Sequence, residues 1–171
     1  MRSRQTNKPD KYIVSECAKV LRDELPYNLH IFVNSVEFIA KVIDTLKLAP
    51  EAVKVVCSTS GESRQENQRK LGNAYPIGQP SDPAKKINFY TSTCFEGCDI
   101  FDPDGVTFIV SDGRKAHTLL DISTLFTQIC GRIRDSRYKA QIVHVYSTTK
   151  YSKAVTLDEF VAATQRLSLI H

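Results

Sequence analysis

Two short segments of this sequence combine residue types that are suited to binding phosphate. Segment 91–99 reads Thr-Ser-Thr-Cys-Phe-Glu-Gly-Cys-Asp, and segment 128–134 reads Gln-Ile-Cys-Gly-Arg-Ile-Arg. An arginine can hold a phosphate through two parallel hydrogen bonds, and the hydroxyl groups at the start of the first segment suit phosphate oxygens. The two segments together therefore predict a site for a phosphate-containing ligand.

The second segment also predicts a catalytic arginine. Gln128 and Arg132 lie four residues apart, so on a helix their side chains would leave the same face. Gly131 between them would allow the backbone to approach a ligand closely. An arginine delivered in this way stabilises charge in the transition state of nucleotide hydrolysis, with an effect of about 10³–10⁵ on rate. The alternative is a surface arginine beside an acid, here Asp135.

Further polar residues follow runs that are typical of strands. In an open parallel sheet, ligands bind beyond the carboxyl ends of the strands, where hydroxyl groups and backbone amides suit phosphate oxygens. The residues expected to contact a phosphate backbone there are Asn34, Ser35, Ser60, Gly61, Thr91 and Ser92. Each of them, taken singly, is also a common type of helix cap.

Runs of β-branched and aromatic residues alternate with apolar stripes at helical spacing. Five runs predict strands: 29–33, 53–57, 87–91, 106–110 and 141–146. Helical stripes lie between them and at both ends of the chain. This alternation predicts an α/β fold of three layers, in which a parallel sheet has helices on both faces.

The helix boundaries follow from capping patterns and from proline. Capping boxes are predicted at Asn34 to Glu37 and at Ser63 to Glu66. A third helix is predicted from an apolar stripe that consists of Leu119, Ile122, Phe126 and Ile129. The opposite side carries a polar stripe that consists of Asp121, Thr124, Gln128 and Arg132. Terminal helices are predicted over 10–25, where Pro26 would end the helix, and over 156–169.

Length and composition fit one globular domain spanning residues 1–171. Of the 171 residues, 42% are hydrophobic and 25% are charged, which is ordinary for a globular protein. No apolar run approaches the ~20 residues of a membrane span, and the polar N-terminus lacks a signal peptide, so the cytoplasm is expected. The five cysteines are scattered, and Cys94 and Cys98 do not have the usual zinc spacing, so no metal site is expected. The net charge of +4 is compatible with nucleic-acid binding without favouring it strongly.

The sequence resembles the second RecA-like domain of superfamily 2 helicases in the order of its polar segments. The strand end at Asn34 and Ser35 corresponds to motif IV, and the strand end at Ser60 and Gly61 to the segment after it. Segment 91–99 then corresponds to motif V and segment 128–134 to motif VI. The resemblance covers roughly residues 28–146, and the segment from Gln128 to Arg134 is its most specific part. Many of these helicases carry a second arginine at the position of Asp135, whereas here Arg134 stands one residue earlier. In this respect the segment is similar to motif VI of viral and phage helicases of the origin-binding type.

The resemblance implies a RecA-like (P-loop NTPase-like) fold and the second motor domain of an ATP-dependent helicase or translocase. Gly97, Asp99 and Gly131 would face the nucleotide, and Arg132 would be the arginine finger, supported by Arg134. ATP and Mg²⁺ would be held mainly by an N-terminal RecA-like domain that carries the Walker A and B motifs. The sequence has no Gly-x4-Gly-Lys-Ser/Thr loop, so this chain is expected to be part of a longer protein and inactive alone.

Two other functions remain open at this point. The first is a nucleic-acid-binding module without catalysis, built on a degenerate motor fold. The second is a small-molecule enzyme in which Cys94 or Cys98 is the nucleophile beside His117. The similarity to origin-binding helicases favours DNA over RNA as the partner, and it extends the expected compartments to the nucleoid or to a host cytoplasm if the chain is of phage origin.

Overall fold

A computed structural model describes residues 1–120 and 122–148 of the chain. Asp121 and the predicted helix 156–169 lie outside this part. The strands are β1 (Arg2–Gln5), β2 (Asn28–Phe32), β3 (Val53–Val56), β4 (Ile87–Tyr90), β5 (Ile100–Phe101), β6 (Gly105–Asp112), β7 (Ile133–Arg134) and β8 (Ile142–Ser147). The α-helices are α1 (Pro9–Leu21), α2 (Val36–Leu46), α3 (Gly61–Leu71) and α4 (Thr127–Cys130).

Six of the described strands form one parallel sheet in the order β1-β8-β6-β2-β4-β3. In the middle of this sheet, Ile31 pairs with Phe89 on one side and with Phe108 on the other. Because all six strands run in the same direction, their carboxyl ends meet at a single edge, called the carboxyl edge below. The predicted α/β fold, a parallel sheet with helices on both faces, is confirmed.

Helices α1, α2 and α3 cover the first face of the sheet. Alternate residues of the strands pack against these helices. Ile31, Phe89 and Phe108 are examples, and each is at most 1% exposed. Successive side chains on a strand point to opposite faces, so every second residue of a buried strand falls into this layer. Burial of this apolar surface provides most of the driving force for folding.

The second face is covered by shorter elements. Phe32, Tyr90 and Ile109 pack there against a helical segment that contains Phe126 and Ile129. The same face buries a row of polar side chains, which the pairing register aligns across four neighbouring strands: Lys54, Asn88, His30 and Thr107.

All five predicted strands are present, with ends that differ from the prediction by two residues or fewer. The exposed strand β1 was not predicted, because its Arg-Ser-Arg-Gln sequence has no apolar alternation. It pairs with β8 at the margin of the sheet.

Helix α1 ends four residues before the predicted boundary at residue 25. The chain leaves the helix through Asp23, whose φ is 55°, and the Glu24 N–H donates to the Lys19 carbonyl, as in a Schellman motif. Helical spacing predicts that the buried face of this helix consists of Val14, Cys17, Ala18, Leu21 and Leu25. Cys17 is fully buried, but Leu21 is 38% exposed, and Ile13 and Val20, which are outside this set, are fully buried. Ile13, Cys17 and Val20 also have helical spacing, so periodicity alone did not identify the buried face.

The two predicted capping boxes are wrong in position. Ser35, not Asn34, caps α2, and its hydroxyl accepts from the Phe38 N–H at 3.2 Å. Helix α3 begins at Gly61, so Ser63 lies inside the helix, and Glu66 forms an ion pair with Lys70 at 2.8 Å. In each case the N-cap differs from the residue that the capping-box pattern indicated: it is Ser35 instead of Asn34 for α2, and Ser60 instead of Ser63 for α3.

The predicted third helix is broken into short pieces. A 3₁₀ turn (Ala116–Thr118) precedes a π-helical turn (Ile122–Phe126), which continues into the single turn of α4. Phe126 and Ile129 are buried as predicted, whereas Leu119 is 45% exposed and lies outside the helical turns. None of the helices in the described residues has the length and apolar character that crossing a bilayer requires.

Candidate nucleotide and nucleic-acid interface

Strands β5 and β7 form a small parallel ribbon, called the arginine ribbon below. Ile100 pairs with Ile133 and Phe101 pairs with Arg134. The Ile100 N–H donates to the Arg132 carbonyl at 2.9 Å, which extends the ribbon by one residue. Segments 91–99 and 128–134, some 35 residues apart in the chain, therefore meet at this ribbon.

Both candidate catalytic arginines contact the first segment through their side chains. Arg134 Nε lies 2.9 Å from Asp99 Oδ1, and each side chain is about half exposed, at 48% and 50%. Arg132 Nη1 donates to the Cys98 carbonyl at 3.0 Å. The two arginines thus contact adjacent residues, Cys98 and Asp99, at the end of the predicted phosphate-binding segment.

The expected arrangement of Gln128 and Arg132 on one helical face is wrong. Helix α4 ends at Cys130, and the Arg132 Nε folds back to donate to the Gln128 carbonyl at 2.9 Å. A cationic side chain beyond a helix C-terminus satisfies an orphan carbonyl in this way. Arg132 is therefore positioned by the helix end, while the Gln128 side chain is exposed.

The two candidate glycines differ in their need to be glycine. Gly97 has a φ of 71°, a conformation that L side chains rarely adopt, so the turn between Cys94 and Asp99 requires it. Gly131 has a φ of −96°, and an added Cβ would lie 3.6 Å from the Gln128 carbonyl oxygen, an ordinary contact. No other part of the described chain lies so close to residue 131 that a larger side chain would be excluded there.

A buried polar network attaches the arginine ribbon to the main sheet. Asp102, directly after β5, accepts hydrogen bonds from His30 Nε2 at 2.7 Å and from Asn28 Nδ2 at 3.0 Å. The other ring nitrogen of His30 lies 3.0 Å from the Tyr90 hydroxyl. Gly105 packs directly on His30, because a Cβ at this glycine would lie 2.9 Å from His30 Cδ2.

The protonation states of this network follow from burial and hydrogen bonding. Burial lowers the pKa of His30 and outweighs the opposing effect of Asp102, so the imidazole is neutral near pH 7. Burial alone would raise the pKa of Asp102, but the bonds from His30, Asn28 and the Asp104 N–H together lower it. A charged carboxylate therefore accepts from a neutral histidine inside the protein.

A second attachment holds the other strand of the ribbon. Ser136, only two residues after β7, donates its hydroxyl proton to the Gly105 carbonyl at 2.6 Å and is 3% exposed. The Arg137 N–H donates to the Pro103 carbonyl at 3.0 Å. The chain after β7 is thus anchored to residues 103–105, which lead from β5 into the start of β6.

The predicted nucleic-acid contacts lie in loops at the carboxyl edge, after three neighbouring strands. Asn34, after β2, links two other loops: its Nδ2 donates to the His117 carbonyl at 2.8 Å, and its Oδ1 accepts from the Ser92 N–H at 3.4 Å. Ser58 and Ser60, after β3, lie 3.0 Å apart through their hydroxyl oxygens. The edge is therefore a continuous row of short polar loops.

These candidate contacts are not equally accessible. Ser60, Gly61 and Ser92 are exposed. Thr91 is only 5% exposed, and its hydroxyl lies 3.4 Å from that of Thr93. Ser35 is 7% exposed and caps α2, so its hydroxyl has a structural role.

A depression of about 210 Å³ opens at the carboxyl edge beside Asn34. Asn67 and Lys70 of α3 line it, together with His117 from the loop after β6. The sequence alone did not indicate that these three residues lie beside Asn34. The spacing of Asn67 and Lys70 on α3 could have indicated a shared polar face, but only the fold brings His117 beside them.

The geometry disfavours a nucleophilic cysteine. Cys94 is fully buried, and burial raises its pKa to about 12, so the reactive thiolate is scarce near neutral pH. The Cys98 thiol donates to the Cys94 carbonyl at 3.2 Å, whereas His117 lines the depression beside Asn34. All five cysteines are free.

Comparison with models of protein families found no match to this sequence, and no curated protein matches it.

Proposed function

We propose that this chain is the second motor domain of an ATP-dependent nucleic-acid helicase or translocase. The observation that carries the proposal is the arginine ribbon, which joins the Gly97–Asp99 turn to Arg132 and Arg134. Two arginines beside a glycine-containing turn suit a nucleoside triphosphate. ATP and Mg²⁺ would be held mainly by a RecA-like domain with Walker A and B motifs, and this chain would complete the site.

In this proposal Arg132 is the arginine finger and Arg134 supports it. The guanidinium of Arg132 donates to two neutral carbonyl oxygens, those of Gln128 and Cys98. Hydrogen bonds to a charged phosphate are stronger than those to neutral acceptors, so a γ-phosphate at the ribbon would compete well for these donors. Gly97, Asp99 and Gly131 would line the same side of the nucleotide.

The carboxyl edge would bind the nucleic-acid backbone. Ser60, Gly61 and Ser92 offer exposed hydroxyl and amide groups there, and Asn34 and Lys70 line the adjacent depression. Contacts of this kind fix the register of the strand without reading its bases. DNA is favoured over RNA through the resemblance of segment 128–134 to origin-binding helicases.

The sharpest test of the proposal is Arg132→Ala in a motor assembled from this chain and a Walker-containing RecA-like domain. We expect ATP turnover stimulated by single-stranded DNA to fall by about 10³-fold or more, because charge in the transition state loses its partner. Binding of a fluorescent single-stranded oligonucleotide, measured by anisotropy, should be unchanged. Its affinity should fall with salt with a log-log slope of about −0.7 for each phosphate contact.

Arg137→Ala is the matched control, since Arg137 is a neighbouring arginine whose side chain is 66% exposed and pairs with Asp104 outside the ribbon. Turnover should survive this change. Retained turnover in Arg132→Ala would contradict the finger assignment and favour a nucleic-acid-binding module without catalysis. Stimulated turnover by the isolated chain would show that it holds a complete nucleotide site, contrary to the proposal.

A further inference from the structure

We infer that Phe101 is the stacking surface for the base of the nucleotide whose phosphates the neighbouring arginines bind. The inference rests on the proposed function and adds to it a specific subsite. Phe101 is 67% exposed, whereas the other phenylalanines in the described residues are buried. A single exposed apolar side chain is ordinary on a protein surface, so the neighbours of Phe101 decide its meaning.

Phe101 and Arg134 project from the same side of the arginine ribbon. They are register partners in a parallel pair, as are Ile100 and Ile133. The isoleucines point inwards, at 1% and 5% exposure, so their neighbours Phe101 and Arg134 must point outwards. Asp99, two residues before Phe101, lies on this outer side as well and pairs with Arg134 at 2.9 Å.

The outer side of the ribbon thus carries a cation, a carboxylate and an aromatic ring, which match the three parts of a nucleotide. Arginine binds phosphate, and a carboxylate accepts hydrogen bonds from sugar hydroxyls but repels phosphate. Residues i and i+2 on a strand are about 6.6 Å apart, so a base bound to Phe101 would adjoin a sugar at Asp99. The order of side chains fits the order of phosphate, sugar and base.

Stacking on a single phenylalanine predicts affinity for a base with little discrimination between bases. An aromatic ring can stack on any base, and no hydrogen-bonding side chain is required for this contact. Removing the ring should therefore lower the affinity for ATP roughly tenfold. It should leave unchanged the affinity for ribose 5′-triphosphate, which has the phosphates and the sugar but no base.

The experiment is an NMR titration of the isotope-labelled 171-residue chain, assembled with the Walker-containing RecA-like domain that would hold most of the ATP. Mg²⁺ with ATP should shift the aromatic signals of Phe101 and the amide signals of Asp99 and Arg134. Mg²⁺ with ribose 5′-triphosphate should shift only the amide signals. Phe101→Ala should reduce the difference between the two ligands, whereas Leu119→Ala, at another exposed apolar side chain, should preserve it.

A second variant gives an independent measurement. The chain contains no tryptophan, so Phe101→Trp introduces a single fluorescent reporter that retains a stacking surface. ATP should quench its fluorescence, and ribose 5′-triphosphate should not.

The outcomes separate the inference from the proposed function. If both ligands shift Asp99 and Arg134 equally and neither affects Phe101, the nucleotide site stands and the stacking inference is wrong. If neither ligand shifts these residues, the proposed nucleotide site fails and the inference fails with it. If dilution of the chain alone changes the Phe101 signals, the ring belongs to a contact between copies of the chain, which also overturns the inference.

Discussion

The two faces of the main sheet are buried by different kinds of interaction. The first face meets α1, α2 and α3 through apolar side chains such as Ile31, Phe89 and Phe108. The second face meets the arginine ribbon and its turns partly through polar groups, with His30 and Asn88 fully buried. Asn88 Nδ2 donates to the Leu29 carbonyl at 3.1 Å and to the Lys85 carbonyl at 2.7 Å.

This difference separates stability from positioning. Apolar burial is roughly proportional to area and has little directional preference. Hydrogen bonds fix both distance and angle, so the bonds of His30 and Asn28 to Asp102 specify where the ribbon lies on the sheet. The first face should therefore determine how stable the domain is, and the second should determine where Arg132 and Arg134 are held.

The largest effect is expected from Phe89→Ala on the first face. Phe89 is fully buried, and removing its ring should lower the free energy of unfolding by about 3–5 kcal/mol through lost burial and a residual cavity. Urea unfolding followed by circular dichroism measures this loss. The amide signals of Ile100 and Ile133 in the folded fraction should keep their positions, because the ribbon lies on the other face.

Phe101→Ala is the matched control for this change, since the same side chain is removed from an exposed site. It should alter the free energy of unfolding by about 0.5 kcal/mol or less. A loss below about 1 kcal/mol for Phe89→Ala would show that apolar packing on the first face is not the main source of stability.

Asp102→Asn tests the second face with a smaller expected loss of stability. The amide keeps the shape of the carboxylate but removes the charge that accepts from His30 and Asn28. We expect a decrease of about 2 kcal/mol in the free energy of unfolding, as for other buried hydrogen bonds to charged groups. Unlike Phe89→Ala, this change should also shift the amide signals of Ile100, Ile133 and Arg134.

Asp104→Asn controls for the loss of an acid from the same turn. Asp104 pairs with Arg137 at 2.9 Å, but the two side chains are 37% and 66% exposed. Exposed ion pairs of this kind contribute about 0–1 kcal/mol, so little should change. If Asp102→Asn and Asp104→Asn behaved alike, the buried network would have no special role in positioning the ribbon.

The sequence was sufficient to predict the fold because the apolar runs are long and regular. Runs such as 29–33 and 106–110 have the composition of buried strands, and their alternation with helices specifies a parallel sheet. The predicted helix end near residues 22–25 was wrong in a helix where two helical stripes were possible. The helix predicted over 119–126 was wrong because this segment is irregular. Strand β1 was missed because its pairing with β8, not its own apolar content, makes it a strand.

The candidate site was predictable only in part. The sequence identified Asp99, Arg132 and Arg134 through their local motifs, but not that Asp99 would pair with Arg134. Asp102 and His30 are 72 residues apart, and neither belongs to a recognisable motif. His30 lies in an apolar run, where strand alternation places it on the same side as Phe32, and only the fold provides its buried partner.

The smallest effect is expected in the pH dependence of stability, which reports on His30. Its pKa is lowered in the folded state, so below the unfolded value of about 6.5 the unfolded chain binds a proton that the folded chain does not. Stability should be full above about pH 7 and fall as the pH drops from there, by at most about 1.4 kcal/mol per pH unit. His30→Gln should flatten this part of the profile in urea unfolding measured between about pH 8 and 5.

His144→Gln is the control, because burial also lowers the pKa of His144 and acts on stability in the same direction. His144 is less buried and lies 3.2 Å from the Ser111 hydroxyl, away from Asp102. We expect the amide signals of Ile100 and Ile133 to shift on acidification, because His30 then gains a proton beside the ribbon. His144→Gln should leave this shift intact, whereas His30→Gln should remove it. The hydrogen bonds to Asp102 lower its pKa, so its carboxylate stays charged across the pH range of this measurement. Acid sensitivity of the ribbon that persisted in His30→Gln would mean that a group other than His30 couples the ribbon to pH.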